Sequence, residues 1–66
     1  MEIYINGEKK EVDSPPTIRE ILDGAAIKSK RIAVEVNLKI IPKKDHDSFR
    51  LQEGDRMEIV HPVGGG

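Results

Sequence analysis

A chain of 66 residues with 36% hydrophobic side chains and two aromatics, Tyr4 and Phe49, makes one domain with a small core, because at this size only about 60% of the surface exposed by the unfolded form is buried; a deep catalytic pocket of roughly 300 Å³ or more is not expected. Eleven basic against twelve acidic side chains, net charge -1, lack the basic excess with which nucleic-acid binders neutralise phosphates, so no nucleic acid is expected as a partner. The absence of cysteine removes disulfides, thiolate metal sites, iron-sulfur clusters and side-chain thiol chemistry.

Met1, Ile3 and Ile5 alternate with Glu2, Tyr4 and Asn6, the period of a strand with one buried face. Asn6-Gly7 is a strong hairpin signal, since both residues tolerate the positive φ of a type I′ turn, and Lys9 to Val12 are expected to return antiparallel. Pro15 and Pro16 stop that strand. Thr17 and, three residues later, Glu20 form a capping box in which each side chain satisfies the other's free N–H, so a helix of roughly three turns starts there. Its apolar face is read as Ile18, Ile21, Leu22 and Ala25, with Gly24 near its end as a place where positive φ is useful. Alternation returns in "RIAVEVN", where Ile32, Val34 and Val36 oppose Ala33 and Glu35 and β-branched residues suit a pleated surface. After Asn37-Leu38, "KIIP" is a short strand that Pro42 confines to an edge, and "KKDHDSF" is an irregular or single-turn connection. "LQEGDRMEIV" supplies a turn at Glu53-Gly54-Asp55 and a last strand with Met57 and Ile59 toward the core, Val60 on the other side and Pro62 as its end.

The order β-β-α-β-β-β predicts an α+β domain, a mixed sheet of four or five strands packed on one face by the helix. Its expected core is Ile3, Ile5, Ile18, Ile21, Leu22, Val34, Val36, Leu51, Met57 and Ile59.

Chemistry carried by side chains finds little support. Asp45, His46 and Asp47 are neighbours in a connection, and such neighbours rarely converge on one ion, so no metal site is expected. His61, after the last strand, is read as exposed. No glycine-rich loop leads into a helix with a phosphate-binding lysine, so neither ATP nor another cofactor is expected to bind this chain. Ser14, Ser29 and Ser48 lack a nearby histidine pattern for nucleophilic catalysis. The chain therefore reads as a carrier or binding module rather than an enzyme. No apolar run approaches the roughly 20 residues of a membrane span, and "MEIYING" has neither the basic nor the apolar part of a signal peptide. A cytoplasmic location and no membrane partner are expected.

Half of the six glycines stand in the closing "VGGG". One reading is an incidental end of the chain. The other begins with what a chain end offers, a carboxylate that can be threaded lengthwise into a narrow site. Being anionic and resonance-stabilised, it must become a mixed anhydride, typically with AMP, before sulfur or an amine can attack it. Glycines suit the passage because no Cβ obstructs it.

With the hairpin, the capped helix, "RIAVEVNLKIIP" and above all "LQEGDRMEIVHPVGGG", the sequence resembles the ThiS family of sulfur carriers in thiamine biosynthesis over essentially its whole length. The sharpest parts are "EGD", "RMEIVHPV" and Gly65-Gly66; Leu38 departs from the glycine that often follows the asparagine in that family. The resemblance implies a ubiquitin-like β-grasp domain over residues 1–63 and a flexible glycine tail over 64–66. It also implies a cycle: a ThiF-like adenylating enzyme activates the Gly66 carboxylate with ATP, sulfur from cysteine reaches it through a desulfurase, and a ThiG-like thiazole synthase consumes the resulting thiocarboxylate. In that cycle Gly66 carries the sulfur, Gly64 and Gly65 give reach and clearance, and Val63 docks the base of the tail. The rival readings are a MoaD-like carrier for molybdenum cofactor, a ubiquitin-like modifier that joins lysines, and a β-grasp interaction module without acyl chemistry.

Overall fold

The computed structural model describes residues 1–27 and 31–61. In chain order it contains β1 (Glu2–Ile5), β2 (Glu8–Glu11), α1 (Ile18–Gly24), β3 (Ala33–Val36), β4 (Lys39–Ile41), a 3-10 turn over Lys43–Asp45 and β5 (Arg56–Val60). The strands form one sheet in the order β2-β1-β5-β3-β4. β1 and β5 run parallel at its centre, and the remaining neighbours are antiparallel. Ile18 and Leu22 of α1 share one buried cluster with Ile3, Val34, Val36 and Met57 from the three central strands, joined by Ile32 and Leu51. This one-helix, mixed five-stranded layer is the expected β-grasp arrangement.

Both halves of the predicted capping box are present: the Glu20 N–H donates to Thr17 Oγ1 at 3.0 Å and the Thr17 N–H to Glu20 Oε1 at 2.9 Å. The same stretch is stitched to the segment entering β5, with the Ile18 N–H donating to Phe49 O and the Leu51 N–H to Pro16 O. The other end of α1 differs from expectation. The helix has seven residues, nearer two turns than three, because Ala26 takes φ 58. The Ala26 N–H then bonds Asp23 O and the Ile27 N–H bonds Leu22 O, which is the Schellman pattern with alanine at the left-handed position. Gly24, read as the residue with positive φ, stays helical, and Ala25 is the exposed C-cap.

A helix this short covers the middle of the sheet and leaves its margin open. Ile5, Ile21 and Ile59, expected in the core, are only half-buried and pack against its edge, whereas Ile32, absent from the expected set, is buried. The return strand runs Glu8–Glu11, one residue earlier than expected, since a two-residue turn makes Ile5 and Glu8 direct partners. β4 is an edge strand, as Pro42 requires. His46, placed in the connection by its polar neighbours, is 2% exposed, its Nε2 lying 3.0 Å from the Ile41 carbonyl.

Candidate functional site

The candidate site is the exit of β5, the strand that leads into the glycine segment. The predicted site residues Val63, Gly64, Gly65 and Gly66 lie outside the described residues, as does Pro62. What the structure describes is the platform they continue from. On one side β3 holds β5 up to its last residue, pairing Val34 with Ile59 and Ala33 with Val60. On the other side β1 pairs only as far as Ile5 with Met57, after which the Ile59 N–H donates to Asn6 Oδ1 at 2.8 Å. His61, the next residue, is exposed, as predicted.

The acidic "EGD" turn fixes the start of the same strand. Gly54 has φ 81, and its N–H donates to Glu2 O at 2.7 Å. Asp55 Oδ2 accepts from the Gln52 N–H at 2.7 Å, and Asp55 Oδ1 from Asn37 Nδ2 at 3.0 Å. Asn37 Oδ1 in turn accepts from the Arg56 N–H at 3.0 Å. Two turns and a strand thus lock together at one end of β5, with its exit at the other.

On the sheet face turned away from α1, Val60 and Ile40 are exposed, Val60 opposite Ala33 and Ile40 opposite Glu35. Glu35 and Glu58 sit directly opposite each other across β3 and β5. The Arg56 guanidinium stacks on Tyr4 at 4.2 Å from the ring centre. Between α1 and the β1-β2 hairpin lies a partly open groove of about 580 Å³. A cavity of that size was not expected, and it exists because the short helix leaves the hairpin side uncovered. Ile5, Ile21, Ile27 and Ile59 line it together with the exposed Glu8, Lys10, Glu11 and Glu20, so it combines apolar contact with charged groups that face solvent.

Asp45, His46 and Asp47 do not converge. The His46 ring turns inward to Ile41 O, while Asp47 faces Arg19 at 3.1 Å. Among the described residues no three His, Asp or Glu are placed to hold a metal ion, and no helix is long and apolar enough to cross a membrane. The arrangement leaves β5 bonded along both edges up to Ile59 and Val60.

The pattern of the ThiS family matches residues 3–66, from the first strand through the last glycine. The chain belongs to the ThiS family. The sulfur carrier protein ThiS of Bacillus subtilis is 40% identical over 50 residues, 76% of each chain. A crystal structure of the thiamine biosynthesis protein ThiS from Geobacter metallireducens superposes with a TM-score of 0.85 at 25% identity, covering both chains fully. The thiazole synthase of Paramagnetospirillum magneticum is 36% identical over all 66 residues, and there the chain spans only 20% of the relative's length. A ThiS-like segment is thus part of a longer polypeptide in that protein.

Sequence reasoning missed the role of the Asn6 side chain. Asn6-Gly7 was legible as a turn, but the amide's partner, Ile59, lies 53 residues away and is brought beside it only by the parallel pairing of β1 with β5.

Proposed function

We propose that this chain is a sulfur carrier that supplies the thiazole sulfur of thiamine biosynthesis, with the Gly66 carboxylate as the group that is loaded. The observation that carries the reading is the family match running unbroken through the glycine segment. The fold agrees with a carrier, since the strand leading to that segment is anchored on both sides.

In the proposed cycle a carboxylate oxygen of Gly66 attacks the α-phosphorus of ATP on an adenylating partner, and pyrophosphate leaves. Sulfur drawn from cysteine by a desulfurase, brought to the sulfide level by a thiol reductant, attacks the acyl carbon. AMP leaves and a thiocarboxylate remains. Gly64 and Gly65 give clearance in the partner's channel, Val63 docks the base of the tail, and the catalytic groups belong to the partners. ATP is used by the adenylating enzyme and is not held by this chain. Thiazole synthase is the proposed acceptor, a pairing supported by relatives of that name that carry a similar segment within one polypeptide. A covalent link holds two modules at high effective concentration, an arrangement of use when one delivers to the other.

The test is mass spectrometry of the chain ending at Gly66 after incubation with ATP, the adenylating enzyme, a desulfurase, cysteine and a thiol reductant. Oxygen should be replaced by sulfur at the C-terminus. A chain lacking Gly65 and Gly66, or carrying one residue more, should melt like the parent and stay unloaded. Equal loading of those variants would refute the terminal mechanism.

A further inference from the structure

We propose that Asn6 is the positioning residue of the tail, its side-chain oxygen fixing the direction in which β5 releases the C-terminal segment. The inference rests on the carrier reading for the use of that segment. Along the β1 edge of β5 the Tyr4 N–H donates to Asp55 O at 2.9 Å and, two residues on, the Asn6 N–H donates to Met57 O at 2.9 Å. In a parallel ladder that continued, the next bond would run from the Ile59 N–H to the carbonyl of Asn6. Asn6 instead has φ 50 and enters the hairpin turn. Its Oδ1 meets the Ile59 N–H at 2.8 Å, so the side chain adds one rung beyond the end of the strand.

That rung lies on the edge of β5 away from β3, whose pairing with β5 ends at Ile59 and Val60. Without it β5 would be held from one side only over the residues before His61. A tail that leaves a fixed support loses less freedom on entering a partner's channel than one that leaves a swinging support, and lost freedom opposes productive threading. The amide is not demanded by the turn itself. Glycine meets the positive φ of position 6 at least as well, and Gly7 beside it, with φ 84, does so already. Asn6 is exposed and Ile59 half-buried, both lining the open groove, so the released N–H can be solvated and the domain can fold without the bond.

Asn6→Gly therefore separates aiming from folding, and Asn6→Asp keeps an acceptor oxygen at the same reach. In Asn6→Gly, cooperative unfolding should stay near that of the parent, while exchange of the Ile59 amide rises about tenfold, the worth of one hydrogen bond. The backbone order parameter of His61 should fall, since it reports motion of the exit directly. Sulfur loading of this variant should lose about tenfold in kcat with KM for the carrier unchanged, the pattern of an interaction used after docking. Asn6→Asp should restore both. An unchanged His61 order parameter, unchanged loading or a KM effect alone would overturn the proposal. Loss of the fold in Asn6→Gly would overturn it as well, by making the amide structural. If the parent chain itself is not loaded, the carrier reading falls, while the His61 order parameter still decides whether Asn6 aims the exit.

Discussion

Leu38 is the residue least suited to its backbone. With Asn37 it forms the turn between β3 and β4, the two having φ 53 and 70, as a type I′ turn requires of both central positions. A leucine there brings its Cβ against the following carbonyl, at a cost of about 1–2 kcal/mol, and at 86% exposed it recovers little by packing. Leu38→Gly should stabilise the domain by about 0.5–1 kcal/mol, after about 0.5–1 kcal/mol is returned as extra chain entropy in the unfolded state. In a domain of this size that is a rise of about 2–8 °C in Tm, measurable by calorimetry. A fall in Tm would mean that the leucine is held by contacts worth more than the strain.

The helix shows how a short element survives. Seven residues are far below the roughly 12–15 at which an isolated helix becomes even marginal in water, so α1 depends on its ends and on burial. The N-terminal end is closed by the Thr17–Glu20 box, and Thr17 also bridges to Arg50. The C-terminal end is closed by the Schellman bonds of Ala26 and Ile27. Between them Ile18 and Leu22 are buried. Thr17→Ala should cost about 1–2 kcal/mol, the upper part of the range for an N-cap, because Thr17 is itself only 6% exposed and the Glu20 N–H loses its partner there. Thr17→Ser, which keeps the oxygen, should cost less. Urea denaturation of the two variants checks this, and equal loss would assign the effect to the missing methyl rather than to the cap.

For the whole molecule the balance is narrow, since a domain of this length is held by about 3–10 kcal/mol. Leu51 has no exposed surface and closes the core beneath the segment that enters β5. Leu51→Ala should cost about 2–5 kcal/mol, enough to unfold much of the population near body temperature. Ile21→Ala, at the open margin of the core, should cost clearly less, because water can fill the space it leaves. Equal destabilisation would show that α1 sits deeper than its half-buried isoleucine indicates. Exposed ion pairs such as Arg19–Asp47 and Arg50–Glu20 contribute little beside these apolar contacts, as each such pair is worth about 0–1 kcal/mol.

Local chemistry determined much by itself. Period-two alternation marked the strands, Asn6-Gly7 the hairpin, Thr17 and Glu20 the helix start, and Pro42 an edge, because each signal acts between residues a few positions apart. The glycine segment was legible as a candidate loading site for the same reason: its chemistry lies in what it lacks. Tertiary structure decided the rest. Where α1 stops depends on Ala26 accepting a left-handed conformation that Gly24 advertised two residues too early. Which isoleucines are buried depends on how far a two-turn helix reaches across five strands, a matter of geometry that periodicity does not hold. The inward turn of His46 and the rung from Asn6 to Ile59 both join groups by folding. In the second case the bond spans nearly the whole chain, and only the parallel pairing of the first strand with the last creates the free N–H that the amide meets.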